Sequence, residues 1–273
     1  MVHSGKQAAV DTGISVRFAR KVDPPRIGSM VQCFDLASGK SVVALVGAGG
    51  KTSLMYRLAR QLVWMGKTVV TTTTTKIFPP TGEQSPSLAL LADDPELSGL
   101  EEHLHEVRHV TVASSRLSEA GKLQGVEDKV VSLLGRIADY VLVEADGAAG
   151  RAVKAPAEWE PVIPSAVSLI IPVVGLDSLG KPANDQWVFR LERFYAVTGL
   201  RPEQEITPKA IARLLCHPEG GLKHASDTKV IPFLNKLDVL GEEGTVRDIA
   251  RMIEALVGTR ISALVTGSAA DPG

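Results

Sequence analysis

Two cysteines in 273 residues, Cys33 and Cys216, are too few and too far apart for a disulfide framework or a thiolate metal cluster. Their scarcity fits a reducing, cytoplasmic setting. Aromatic residues make up only 4%, which argues against a base-stacking platform. Neither charge sign is in excess, since 30 basic residues face 31 acidic ones. A protein that coats nucleic acid or an anionic membrane needs a strong positive balance, so neither partner is expected. No apolar run is long enough to cross a bilayer; the longest, residues 169–174, is interrupted by Pro172. The N-terminus has no continuous apolar stretch of the kind a secretory signal carries. What is present is a globular balance, 44% hydrophobic and 22% charged, with length for one large domain.

Residues 1–29 lack clean periodicity and read as a flexible N-terminal extension, with Met30 an alternative start. Residues 30–273 read as one domain. Residues 41–46 (SVVALV) form a continuous apolar run, as a strand buried on both faces requires. After a glycine loop, Leu54, Leu58 and Leu62 recur at helical spacing until Gly66. Further strands are expected at 67–72, 88–91, 110–113, 140–144, 168–174, 230–234 and 261–265, with helices at 126–137 and 246–256. A helical insert is expected at about 184–217, where Thr207-Pro208 makes a good helix start. Strands alternating with helices predict an α/β fold, a mostly parallel sheet covered on both faces.

The glycine loop is Gly47-Ala48-Gly49-Gly50-Lys51-Thr52-Ser53, between the first strand of this domain and its first helix. Glycines let backbone amides turn toward phosphate oxygens, and the helix N-terminus adds positive potential. Lys51 would reach the terminal phosphates and Thr52 would hold Mg²⁺. The loop is shorter than the usual form, whose first glycine would fall at Leu45, and resembles that of the Mur ligases. These features predict a P-loop nucleoside triphosphatase.

A strand ending in Glu144 runs into Ala145-Asp146-Gly147-Ala148-Ala149-Gly150-Arg151. A carboxylate at a strand's end points into the nucleotide crevice of such folds. Glu144 is therefore expected to serve the metal with Thr52, and Asp146 to position water or an acceptor. The spacing Glu144-x-x-Gly147 resembles that of the metal-chaperone GTPases, whose glycine amide senses the terminal phosphate. Arg151 and Lys154 are candidates to neutralise phosphate charge. Thr73, Thr74 and Thr75, at the end of a threonine run, and Lys76 after it are candidates for a switch or substrate contact. Asn235-Lys236-Leu237-Asp238 directly follows a late strand and matches the guanine-reading pattern. A carboxylate there accepts two hydrogen bonds that guanine can donate and adenine cannot. Thr266-Gly267-Ser268-Ala269 is its companion loop. GTP is the expected nucleotide, with ATP the alternative. His103, His105 and His109 match no familiar ligand spacing, and Lys223 and His224 mark a basic loop for a substrate or partner.

Taken together, GAGGKTS, VTTTTTKI, VEADGAAGRAVKAPAEWEPVIP and FLNKLD resemble the selenium-dependent molybdenum hydroxylase accessory proteins, the YqeC family of selenium cofactor biosynthesis proteins. The likeness runs from about Met30 to Gly267. It implies a role in maturing or inserting a selenium-containing molybdenum hydroxylase cofactor, with the apo-hydroxylase or a cofactor intermediate as partner. Two other activities fit the residues: an ATP-dependent ligase or kinase acting on a cofactor precursor, and a chaperone that binds the cofactor without hydrolysis.

Overall fold

The apolar run after residue 40 becomes the central strand of a parallel sheet. A computed structural model describes residues 14–19, 29–118, 121–257, 260–261 and 263–270. Among these residues the sheet has ten strands: β1 (Ser15–Phe18), β2 (Ser41–Gly47), β3 (Val69–Thr73), β4 (Leu88–Leu90), β5 (His109–Ala113), β6 (Tyr140–Glu144), β7 (Leu169–Gly175), β8 (Lys229–Val230), β9 (Phe233–Asn235) and β10 (Ala263–Thr266). Their order is β1-β10-β9-β7-β2-β6-β3-β5-β4, with β8 beside β7, and every pairing is parallel.

Alternate residues of β2 point to opposite faces, as the strand period requires. Val43 and Leu45 pack with α1 (Met30–Cys33) and α2 (Lys51–Trp64). Val42 packs on the other face with α3 (Leu100–Val107) and α4 (Asp128–Ile137). Ala44 and Val46 meet a layer containing α5 (Leu191–Thr198), α6 (Pro208–Cys216) and α8 (Glu243–Val257). A short helix, α7 (Leu237–Leu240), follows β9. The fold is of the expected α/β class, a parallel sheet with helices on both faces.

Residues 184–217 contain α5 and α6, with a two-residue strand at Val188–Phe189 ahead of them and turns between, and Thr207 accepts a hydrogen bond from the Ala210 amide at 3.2 Å. They do not stand apart: Ile211, Leu214 and Leu215 share a core with Ile249 and Ile253 of α8. The flexible-extension reading needs a correction at residues 15–18, which form edge strand β1 against β10. Arg17 there donates to the Cys33 carbonyl at 2.7 Å and pairs with Asp35 at 2.8 Å. Four residues are too few to show a period, and their partner lies at the far end of the chain. The rest of the extension, at 1–13 and 20–28, lies outside the described residues.

A feature absent from the sequence reading is a small antiparallel sheet of Lys76–Ile77, Lys122–Gln124 and Ser115–Leu117. It hangs beside the carboxyl ends of the main strands. No helix among the described residues is long and apolar enough to cross a membrane.

The chain leaves β2 for β3 on one side, with β6 between them, and later builds β7 on the other side. Ligand crevices of open parallel sheets lie at such a reversal, beyond the strands' carboxyl ends. That point is where the glycine loop stands.

Candidate nucleotide-binding cleft

Gly49 and Gly50 shape the loop because each has a positive φ, +85° and +116°. A side chain at Gly49 would run into the backbones of Gly175 and Ala152, and one at Gly50 into the Asn235 amide. The loop is thus pressed against β7 and the loop after β9.

Its first amides are already engaged. Gly47 donates to Asp146 at 3.0 Å, Ala48 to the Val173 carbonyl at 2.9 Å, and Gly49 to the Arg151 carbonyl at 3.0 Å. These three residues shape the loop more than they offer donors, a correction to the picture of a full amide cradle. The amides of Gly50, Lys51, Thr52 and Ser53 make no hydrogen bond within the described structure. They open α2, where helix amides lack carbonyl partners and anions are favoured.

These amides border a cleft of about 640 Å³ lined by Gly49, Gly50, Lys51, Thr52, Ser53 and Glu144. Gly147, Arg151, Lys76, Phe78 and Lys122 line it as well. Such a volume lies within the usual range for small-molecule sites.

Lys51 is buried, and its ammonium donates to the Gly47 carbonyl at 2.6 Å. It lies 3.1 Å from Asp146 and 3.8 Å from Glu144. The Thr52 hydroxyl donates to Glu144 at 2.7 Å. Burial pushes the Glu144 carboxyl above its ordinary range, and Lys51 and Thr52 only partly counter it. Thr52 and Glu144 are oxygen donors of the hard kind that Mg²⁺ takes, one hydroxyl and one carboxylate, with phosphate and water left to complete an octahedron. The pair fits the ion, and a cation there would favour ionised Glu144.

Asp146 was expected to position water. The structure instead places it behind the loop, 1% exposed and outside the cleft lining. Its carboxylate takes the Gly47 amide, Lys51 and, at 2.9 Å, Lys154. Lys154 is also buried, bonded to the Gly147 carbonyl at 2.5 Å and to Glu160 at 2.8 Å. Glu160 in turn binds Arg190 through both carboxylate oxygens at 3.1 Å. Burial would raise the Glu160 carboxyl, but hydrogen bonds from Lys154, Arg190 and the Ala157 amide hold it below its ordinary range. Lys51, Asp146, Lys154, Glu160 and Arg190 therefore form one alternating chain of charge. Glu160 and Arg190 went unnoticed in the sequence; the only signal was Glu160's place in the distinctive stretch 143–164.

The threonines mostly turn away. Thr73 donates to the Glu144 carbonyl at 2.7 Å and lies near the Thr75 hydroxyl, and Thr74 donates to the Val162 carbonyl. None of the three lines the cleft, whereas Lys76 does. Arg151 lines it while donating to the Asp185 carbonyl. Lys223, read as part of an open basic loop, is buried, bonded to the Ala157 carbonyl at 2.9 Å and Glu219 at 2.8 Å. Of the histidines, His103 bonds Ser87 and His109 is buried against Thr71. No cluster of three metal-ligating side chains occurs among the described residues.

Asn235 was expected to read a base. Its side chain instead donates to the Gly49 carbonyl at 2.7 Å and accepts from the Ala269 amide at 2.8 Å, tying the two loops together. Lys236 lines the cleft and pairs with Asp177 at 2.6 Å. Asp238 accepts from the Ser268 hydroxyl, and both border a separate hollow of about 300 Å³.

A family model described as "YqeC protein" matches residues 43–192, from β2 to the start of α5. The chain belongs to the YqeC family. The match takes in the phosphate-loop segment, Glu144 and the buried charge chain, and stops short of the Asn235–Asp238 loop. YqeC of Escherichia coli K12, itself described as uncharacterized, is 33% identical over 214 residues, which are 74% of this chain and 79% of that protein. Among solved structures, the signal recognition particle 54 kDa protein of Aeropyrum pernix in complex with GDP aligns at 19% identity and a TM-score of 0.34. That alignment covers 85% of this chain and about two fifths (42%) of the other. The likeness is too loose to carry an argument about this YqeC-family chain.

Proposed function

We propose that this protein binds a nucleoside triphosphate with Mg²⁺ and acts on its terminal phosphate. The observation that carries the reading is the junction at the head of α2. Four uncommitted amides, the Lys51 ammonium and the Thr52–Glu144 pair converge on one cleft. The amides and Lys51 bind phosphate oxygens. Thr52 and Glu144 hold the ion, which supplies charge neutralisation between the phosphates. Positioning and charge stabilisation of this kind are most of what a protein contributes to phosphoryl transfer. Asp146 acts through Lys51 and the Gly47 amide, as a positioning residue.

GTP is the preferred nucleotide in this reading. The support is Asp238, held by Ser268 beside a hollow next to the cleft, with Lys236 between them. The motif resemblance supports a role in maturation or insertion of a selenium-containing molybdenum hydroxylase cofactor as the setting of this activity. An ATP-dependent ligase or kinase is the second reading, favoured by the short loop and by a cleft that extends past the phosphate-binding amides.

Titration with fluorescent GTP and ATP in the presence of Mg²⁺ tests this. Lys51→Ala should weaken binding roughly 10- to 100-fold, the worth of a charge-assisted hydrogen bond. Unchanged binding overturns the site. Asp238→Asn should abolish the preference for GTP; equal affinity for both nucleotides in the wild type leaves the ligase or kinase reading.

A further inference from the structure

The small antiparallel sheet beside the phosphate loop has a register with a chemical consequence. Lys76 lies opposite Gln124 and Ile77 opposite Leu123. Carrying that register one residue on brings Phe78 level with Lys122. Side chains alternate across a strand, so Lys76, Phe78, Lys122 and Gln124 share one face, and Ile77 and Leu123 the other. The second face is buried in the core. On the first face, Lys76, Phe78 and Lys122 line the cleft.

That face is firmly held. The Gly125 and Val126 amides donate to the Thr75 and Thr73 carbonyls at 2.7 and 2.8 Å. Lys122 stands 4.7 Å over the Phe78 ring centre, yet Phe78 remains 63% exposed. Among the described residues neither Lys76 nor Lys122 meets a carboxylate, whereas Lys51 and Lys236 both do. Among the described residues Glu144 is the only acidic one in the cleft lining, and it belongs to the Lys51–Thr52 corner. In a chain of net charge −1, two ammoniums with no carboxylate partner among the described residues, beside an exposed ring, give this face a local positive potential that favours an anion. The face lines the same cleft as the amides of α2, whereas Asp238 borders a separate hollow.

We propose that this face is an acceptor subsite for a small acidic molecule carrying a flat unsaturated ring. Its phosphate or carboxylate sits between Lys76 and Lys122, and its ring lies against Phe78. The assignment rests on the nucleotide reading only in that the other half of the cleft holds the triphosphate.

Calorimetric titration of 4-methylumbelliferyl phosphate, a flat aromatic phosphate, into the full chain saturated with Mg²⁺ and a non-hydrolysable GTP analogue tests the proposal. One probe should bind per chain. The Lys76→Ala/Lys122→Ala variant should weaken it at least tenfold and Phe78→Ala severalfold, while analogue affinity stays within twofold. The proposal is overturned if no probe binds, if the saturating analogue displaces it, or if the lysine variant binds it unchanged. If the probe binds with the expected mutant losses but the analogue does not bind, the nucleotide reading fails and the subsite stands.

Discussion

Removing the Asp146 carboxylate should loosen the phosphate loop from behind. In Asp146→Ala the Gly47 amide loses its acceptor, and Lys51 and Lys154 each lose an ion-pair partner at 3.1 and 2.9 Å. Breaking a buried pair costs about 3–5 kcal/mol, because the remaining charge stays buried. Here both lysines keep some compensation, Lys51 from Glu144 at 3.8 Å and Lys154 from Glu160 at 2.8 Å. The low end, about 3 kcal/mol, is therefore expected, or roughly 6–12 °C of melting temperature for a domain of this size. Thermal unfolding followed by circular dichroism measures it. Adding Lys154→Ala should cost less than the sum of the two single changes, since the stranded ammonium goes with its partner. A melting temperature within about 2 °C of wild type for Asp146→Ala would refute the idea that this network holds the loop.

Other outcomes follow from single residues. Burial pushes His109 down to about 4, so it is neutral in the fold and charged in the unfolded chain between there and about 6.5. Its contribution is full above pH 6.5 and is lost as the pH falls toward 4, on the order of 3 kcal/mol. His109→Gln should flatten that part of the stability profile in urea titrations, and an unchanged slope would remove His109 as its source. Gly49→Ala combines a positive φ with a backbone collision and should cost roughly 2–4 kcal/mol. Gly150→Ala, with φ +75° but open space around it, should cost only about 1–2 kcal/mol. Equal losses in chemical denaturation would show that the tight approach of Gly49 to β7 is unimportant.

The sheet was legible because its central strands are buried on both faces and so carry unbroken apolar runs, as in residues 41–46 and 140–143. The glycine turn at residues 47–50 was legible because glycines followed by lysine and threonine stand between an apolar strand and an amphipathic helix. Edge strand β1 was not, since its signal is its partner β10 and not its own four residues. The small side sheet escaped for a similar reason: strands of two or three residues have no period to read, and Lys76 and Lys122 meet only through long-range pairing.

The charged residues show the same limit from another direction. The structure brings Lys51, Glu144, Asp146 and Lys154 together, and sequence spacing could not divide them between front and back. Glu144 ends β6 and faces the cleft, where burial raises it and Thr52 binds it. Asp146, two residues on, has left the strand, so the alternation that would place both carboxylates on one side no longer applies. It turns under the loop and joins the buried chain that ends at Arg190. Asn235 divides likewise from Asp238: one braces two loops, while the other, with Ser268, borders the outer hollow. Asp146 and Asn235 are each fixed by backbone groups of neighbouring segments, the Gly47 amide for the first and the Gly49 carbonyl and Ala269 amide for the second. Substituting Asp146 or Asn235 should therefore show first in stability, and substituting Glu144 or Asp238 first in ligand binding.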